Sequence, residues 1–430
     1  MFTKAQAALL TLLMVLVALF STPAHATSCT PAKQLASKNI KQLHAEVVNA
    51  ATGETLFAVN EDQAERSASV MKVLTAAVAL DVLGPDYRVT TSVYSDPANP
   101  GQIYLVGAGD VTLSRMPGNI TSYYAKAPKL DTLTRQISGW AKLRGITITD
   151  VFIDNSLYGG DDEWHDTWSK RGLSDGYMAP VSALQIDAGR LMSTKFKNRW
   201  LAKRTSSPVV QAGELFITSL NKRNLAPGLT ASERALPEGA EFIASVQSRP
   251  MSEWIINMLK VSDNSLAEAL GRLSSLKAGL DGSMESLTPL YVQTLVARGI
   301  DTTGLEIVDA SGLSRENKVP VRLVNEVLAL VNQQVGDYEI IEQGMPVSGQ
   351  PGSLRSRFAN GNLKAARGLV VAKTGYITTG YSLAGFLTAR DGTELIFSVY
   401  NLTDRATFNQ RQAMDNLVYR FYQCGARLSN

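Results

Sequence analysis

Ser69 and Lys72 stand three positions apart at the head of the apolar run Val73–Leu80. On a helix this spacing puts both side chains on one face, one turn apart, so the amine can reach the hydroxyl. A lysine held against apolar walls loses its preference for the charged form and can then remove the serine proton. The same spacing recurs at Ser274-Ser275-Leu276-Lys277, so the pattern needs a structural context before it means catalysis. Two other clusters are chemically apt. Ser262-Asp263-Asn264 falls where a helix begins, a position at which serine and aspartate also serve as ordinary caps. Lys373-Thr374-Gly375 closes an apolar run, where a cation and a hydroxyl can meet an anion and the glycine admits a ligand close to the backbone. Lys-Thr-Gly occurs once, whereas Ser-x-Asn recurs at Ser37–Asn39 and Ser219–Asn221. Of the three histidines, His25 lies in the leader, His44 in a predicted strand, and His165 is the remaining one. A Ser-His-Asp hydrolase needs a histidine beside a serine elbow, so lysine is the favoured base.

The elements that must carry these residues can be read from periodicity. Leu43–Asn49 and Thr55–Asn60 flank a glycine-bearing turn and read as a β-hairpin. The Ser69 helix follows and stops at Gly84-Pro85. From residue 86 the texture changes. Strands are expected at Arg88–Tyr94, Ile103–Val106 and Ile146–Ile153, with helices at Leu130–Leu143 and Val209–Leu220. Strong signals return with a strand at Glu241–Val246 and helices at Met251–Leu259, after Ser262, at Met284–Arg298 and at Val321–Val335. Strands at Gly368–Ala372, Tyr381–Thr388 and Glu394–Tyr400 precede a last helix at Arg405–Tyr422. Central helices and a late antiparallel meander predict an α/β sandwich whose sheet is built from both chain ends. Residues 27–85 and 238–430 then form one domain, and 86–237 an inserted α/β domain.

Composition narrows the classes. A chain of 430 residues can bury a large core in two or three domains, and no low-complexity tract or internal repeat interrupts it. The formal charge of +3 is small and scattered, which argues against nucleic-acid binding. Lys4, the mostly apolar run Ala7–Phe20 and the Ala24-His25-Ala26 site have the form of a secretory signal peptide, residues 1–26. Export to the periplasm or another extracytoplasmic cell-wall space is therefore expected, with no transmembrane segment after cleavage. Cys29 and Cys424 lie near opposite ends of the mature chain. They are read as a disulfide tying the termini, with free buried thiols and lipidation of Cys29 as alternatives. No Cys/His cluster has metal-ligand spacing and no phosphate loop is present, so no cofactor is indicated.

Taken in order, Ser-x-x-Lys on a helix after a hairpin, Ser-Asp-Asn at a helix start and Lys-Thr-Gly at a strand end match the motif set of penicillin-binding proteins and class A β-lactamases. Ser262 stands 193 positions (262 − 69) after Ser69, far more than a compact β-lactamase places there. In this the chain resembles the D-Ala-D-Ala carboxypeptidase/endopeptidase family, the class C low-molecular-mass penicillin-binding proteins. Gly107–Leu113, Asp154–Tyr158, Ala179–Leu184, Asp309–Arg315 and Tyr381–Gly385 extend the resemblance over nearly all of the mature chain.

The resemblance implies a penicillin-binding transpeptidase/β-lactamase-like sandwich interrupted by an insertion, and a serine carboxypeptidase of peptidoglycan stem peptides that β-lactams acylate. Ser69 would be the nucleophile, Lys72 the base, and Ser262 with Lys373 the proton relay to the leaving amine. Asn264 would bind the substrate backbone, and Lys373 with Thr374 the terminal carboxylate. Gly375 and Tyr376 would line the site, the Ser69 and Tyr376 N–H groups forming an oxyanion hole. Asp154 and Arg315 would lie around the substrate side chain. The extra β-rich domain that many members nest in the insertion looks absent or reduced, because a helical-looking stretch, Ile186–Arg204, follows Leu184. A β-lactamase or esterase of the same fold, and a catalytically idle wall-binding or β-lactam-sensing protein, are the rival readings.

Overall fold

Strand β1 (Gln42–Asn49) near the start of the chain lies against strand β10 (Glu394–Leu402) near its end, antiparallel, with Val47 opposite Phe397. In the computed structural model, which describes residues 28–159, 162–191 and 202–430, this pairing centres a five-stranded sheet. Its order is β2-β1-β10-β9-β8, with β2 at Thr55–Val59, β8 at Val370–Ile377 and β9 at Gly380–Thr388. Every neighbouring pair is antiparallel. The expected signal segment, residues 1–26, lies outside the described residues.

The period-two alternation of β10 explains why the sheet has a layer on each face. Leu395, Phe397 and Val399 pack with Met414, Leu417, Val418 and Phe421 of the last long helix, Phe408–Cys424. Ile396, Tyr400 and Leu402 instead join the larger core with the central helices. Those helices are α1 (Met71–Val82), α4 (Met251–Val261), α5 (Asn264–Lys277), α6 (Leu287–Val296) and α7 (Val321–Asn332). Helix α1 is at their centre, and every residue from Met71 to Leu80 is buried. A helix apolar all round belongs in a core, and this one carries Lys72 inside with it. Cys29 and Cys424 are joined in a disulfide with Cα atoms 5.4 Å apart.

The second sheet has the order β6-β5-β4-β3-β7. It comprises β3 (Thr90–Asp96), β4 (Asn99–Val106), β5 (Asp150–Asp154), β6 (Ala231–Glu233) and β7 (Glu241–Gln247). Strands β4, β5 and β6 run parallel, the remaining pairs antiparallel. Helices α2 (Leu130–Arg144) and α3 (Pro208–Asn221) cover it with Leu133, Ile137, Ala212, Phe216 and Leu220.

Three expectations change. Strand β7 pairs with β3, so the chain leaves the inserted unit after Gln247 and not at 238; the apolar run at 241–246 has its partner in the second sheet. Of the strand expected at Ile146–Ile153, only Asp150–Asp154 pairs. The helix expected over Ile186–Arg204 does not begin there, since Asp187 and Ala188 have φ of 50° and 52° and Arg190 bridges to Arg204. Its middle, residues 192–201, lies outside the described residues. Among the described residues no helix is long and apolar enough to cross a membrane.

The disulfide closes a loop over a sequence separation of 395 residues. Replacing Cys424 with Ser should lower stability by about 2–4 kcal/mol, read as a lower urea midpoint than that of the oxidised protein.

Candidate active site

Ser69 lies in a single tight turn, Ala68–Val70, that feeds directly into α1. The turn is set by its neighbours. Ala68 has φ of 46°, a left-handed conformation unfavourable for a residue with a Cβ. Two glycines close on it. A Cβ at Gly312 would sit 1.9 Å from the Ala68 carbonyl oxygen, and one at Gly375 would sit 3.0 Å from the Ser69 nitrogen. The Ser382 hydroxyl donates to the Ser67 carbonyl at 2.6 Å. Strand β8, strand β9 and the 309–315 loop thus hold the turn from outside, leaving the Ser69 side chain partly exposed between buried neighbours.

Lys72 is fully buried, with Nζ 3.1 Å from Ser69 Oγ, 2.8 Å from Asn264 Oδ1 and 2.5 Å from the Ser311 carbonyl. The last two partners are acceptors only. A neutral amine has two hydrogens and one lone pair, so those hydrogens go to Asn264 and Ser311 and the lone pair faces the Ser69 hydroxyl. Burial lowers the Lys72 pKa from 10.5 to about 8, against the opposing charges of Asp309, Glu268 and Asp263. That change corresponds to roughly 3 kcal/mol against the charged form. The Ser274–Lys277 repeat has no such setting: Lys277 is exposed at the end of α5 while Ser274 is buried.

Ser262 and Lys373 form a second hydroxyl–amine pair. Lys373 Nζ donates to Ser262 Oγ at 2.9 Å and to the Thr374 carbonyl at 2.6 Å. Burial first, and the positive charge of Lys72 second, hold Lys373 well below the usual lysine range. Ser262 has φ of 59° in the joint between α4 and α5, and Asp263 then caps α5 by accepting from Leu266 N at 3.1 Å. Asn264 touches Lys72 through Oδ1 and the Tyr177 carbonyl through Nδ2 at 3.3 Å. Thr374 Oγ1 donates to Ser353 Oγ at 2.7 Å, and Tyr376 is exposed and packs on Tyr381 with ring centroids 4.8 Å apart.

The structure brings Ser69, Lys72, Ser262, Asn264, Lys373 and Gly375 together through these contacts, with Thr374 and Tyr376 on the same strand. Asp154 is different. It is buried, and its oxygens accept from Ser156 N at 2.9 Å, Ser156 Oγ at 2.6 Å and Leu236 N at 2.9 Å. The Ser156 bonds close the turn after β5, and the Leu236 bond joins that turn to the segment before β7. Arg315 is exposed, four residues beyond the Ser311 carbonyl that meets Lys72.

Asp309 and Glu268 were missed by sequence reasoning. Asp309 is buried and accepts from Gly312 N at 2.6 Å, Leu313 N at 3.1 Å, Ser314 N at 2.5 Å, Asn317 Nδ2 at 3.0 Å and Trp168 Nε1 at 2.7 Å. Glu268 accepts from Ser311 N at 2.9 Å, and burial followed by the Asp309 charge pushes its pKa up to about 7. Together they fix the loop whose carbonyl holds Lys72. The available signal was the dense polar string Asp309–Asn317, whose acid heads a loop of backbone donors. One further serine motif is present, Gly172-Leu173-Ser174-Asp175-Gly176. Ser174 is exposed on a five-residue helix and donates to the Arg171 carbonyl at 3.0 Å, so this string is not a strand-to-helix nucleophile turn.

Comparison with known proteins follows the same line. The D-Ala-D-Ala carboxypeptidase 3 (S13) family model matches residues 32–199 and 194–421. "Carboxypeptidase DacB" of Mycolicibacterium smegmatis is 32% identical over 397 residues, covering 92% of this chain and 83% of its own. A D-alanyl-D-alanine carboxypeptidase of Actinomadura sp. is 26% identical, covering 83% of this chain and 76% of its own. Penicillin binding protein 4 (dacB) from Haemophilus influenzae shares the fold, with a TM-score of 0.75 at 19% identity over 91% of this chain and 99% of that one.

The contact between Gly312 and Ala68 is a direct test of how the nucleophile turn is held. Gly312→Ala forces a Cβ into backbone and should cost about 1–3 kcal/mol of stability in thermal melts. Ser69 reactivity toward an activated ester should fall along with it.

Proposed function

The chain belongs to the D-Ala-D-Ala carboxypeptidase 3 (S13) family, and on that premise we propose a serine D-alanyl-D-alanine carboxypeptidase that works through an acyl-enzyme on Ser69. The observation that carries the mechanism is the Lys72 amine, buried and committed to two carbonyl acceptors, with its remaining contact at Ser69 Oγ.

Ser69 Oγ attacks the carbonyl between two D-alanines while its proton passes to Lys72 Nζ. The tetrahedral oxyanion forms beside the Ser69 and Tyr376 N–H groups, each worth a few kcal/mol in such a hole. Collapse breaks the C–N bond. The proton reaches the departing amine through Ser262, whose hydroxyl is kept polarised by Lys373. Thr374 and Lys373 take the terminal carboxylate, and the Asn264 amide turns its N–H from Tyr177 to a substrate carbonyl. Water then resolves the ester, with Lys72 again the base. β-Lactams enter by the same attack and stay as the acyl adduct, in keeping with the name of the Haemophilus relative.

The substrate class is a peptidoglycan stem peptide ending in D-Ala-D-Ala. Cleavage of cross-links is the second activity this site allows. The leader at residues 1–26 and the Cys29–Cys424 disulfide both support an exported protein, because such bonds persist in oxidising compartments. The two matched pieces of the family model overlap at 194–199, in keeping with a nested domain that is absent or reduced there.

A fluorescent penicillin should label the purified protein, and Ser69→Ala should abolish the label; labelling that survives removes the assignment. Fast release of the label as hydrolysed drug would instead favour a β-lactamase. Defined monomeric and cross-linked muropeptides should report D-alanine release from the monomer, and cleavage of the dimer measures the endopeptidase share. Lys72→Met should lower the acylation constant by about 10²- to 10⁴-fold.

The pH dependence has a definite sign. The neutral form of Lys72 accepts the proton, so its fraction, and the acylation rate with it, rises as pH rises through about 8. Stopped-flow acylation checks this, and a rate flat across that range would put the base elsewhere.

A further inference from the structure

Behind the Ser262-Asp263-Asn264 turn lies a buried charge cluster contributed by the inserted unit. Arg190 is only 1% exposed. Its guanidinium lies 5.2 Å from the Tyr123 ring centroid and 5.1 Å from that of Tyr124. Nη1 donates to the Tyr124 hydroxyl at 3.1 Å and to the Asp187 carbonyl at 3.1 Å. The Tyr124 hydroxyl in turn donates to Asp263 Oδ2 at 3.0 Å, and Arg190 Nη2 reaches the same oxygen at 3.5 Å. The other Asp263 oxygen caps α5. Burial by itself would raise the Asp263 carboxyl; the charges of Arg190 and Arg204 more than offset it and keep the group ionised.

Arg190 is itself anchored. Its carbonyl accepts from Gln211 Nε2 at 3.1 Å and from Arg115 Nη2, and Arg115 Nε donates to Asp187 at 2.7 Å. A cation whose main chain is fixed in the inserted unit therefore grips the residue between Ser262 and Asn264, directly and through Tyr124. Ser262 needs such a grip, because its φ of 59° is a conformation that non-glycine residues leave when nothing holds them. On its two sides the turn presents Ser262 Oγ to Lys373 and Asn264 Oδ1 to Lys72.

We propose that Arg190 is a positioning residue for acyl transfer, acting through Tyr124 and Asp263 to hold Ser262 and Asn264 against the two buried amines. The proposal rests on the acyl-enzyme reading above and gives the insertion a part in the chemistry. Loss of the guanidinium removes the larger of the two charges that hold Asp263 ionised, leaving Arg204 alone against its burial, and so loosens the turn. Small displacements of a reacting constellation are costly, on the order of 10²-fold for about 1 Å.

The test uses the full mature protein with Arg190→Met, which keeps the apolar stem, with Tyr124→Phe, and with both together. Penicillin acylation of Ser69 is resolved by stopped flow into a non-covalent dissociation constant and an acylation rate constant, normalised to the folded fraction from thermal melts. Arg190→Met should lower the rate constant by about 10- to 100-fold with the dissociation constant little changed. Tyr124→Phe should act in the same direction, and the double variant should be no slower than Arg190→Met, because the two act in one chain. A rate constant equal to wild type in folded Arg190→Met overturns the proposal, as do effects of the two substitutions that simply multiply. If Arg190→Met does not fold, Tyr124→Phe decides: a lowered rate constant supports the relay, and an unchanged one in a normally melting protein overturns it. Wild-type protein that penicillin does not acylate would instead overturn the acyl-enzyme reading.

Discussion

Burying an amine is the constraint on which the site is built. Lys72 lies inside a helix that is apolar on every side, and water cannot hydrate its charge there. The amine is therefore poised between forms near neutral pH, which an exposed lysine never is. A desolvated amine also needs hydrogen-bond partners, and each one it finds fixes a piece of the site: Asn264 on α5, Ser311 on the 309–315 loop, and Ser69 on its own helix. Three separate chain segments converge because one nitrogen has to be satisfied.

The partners are themselves held by buried acids. Glu268 binds the Ser311 N–H, and Asp309 gathers the N–H groups of residues 312–314 and the Asn317 amide. These carboxylates oppose the loss of charge on Lys72, while burial drives it. The pKa of about 8 is the balance of the two. Lys373 has no such acids among its opposing influences, and Lys72 pushes it further in the same direction as burial, so the two amines of the site are tuned apart.

Glycine and left-handed backbone do the remaining work. Gly312 and Gly375 let two strands of structure approach the Ser69 turn closer than any side chain would allow, and Ala68 and Ser262 adopt backbone conformations that only the surrounding contacts maintain. Such backbone occurs elsewhere too, as at Asp187 and Ala188, but here the surrounding contacts confine it beside the two reactive hydroxyls. The inserted unit adds to this confinement, since Tyr124 and Arg190 both come from it and both end at Asp263.

Much of this was legible in the order of residues. Ser69, Lys72, Ser262, Asn264 and Lys373 announce themselves by type, spacing and the elements that open or close beside them, because those are local properties of a chain. The sheet built from both ends followed from the apolar runs at 43–49 and 394–400, and the tie between the termini from two cysteines in a chain expected to be exported. Other features had no local signal. An unpaired run at 241–246 could join either sheet, and only its pairing with β3 placed it. Asp154 stood out by its motif, but its bond from the N–H of Leu236, far along the chain, had no local signal. The Ser274–Lys277 repeat is identical in spacing to Ser69–Lys72, and what separates them is burial alone: one lysine is exposed and the other is fully enclosed. Residue type and spacing determined which groups could react; tertiary packing decided which lysine is desolvated, and a lysine's reactivity depends on solvation that no stretch of sequence contains by itself.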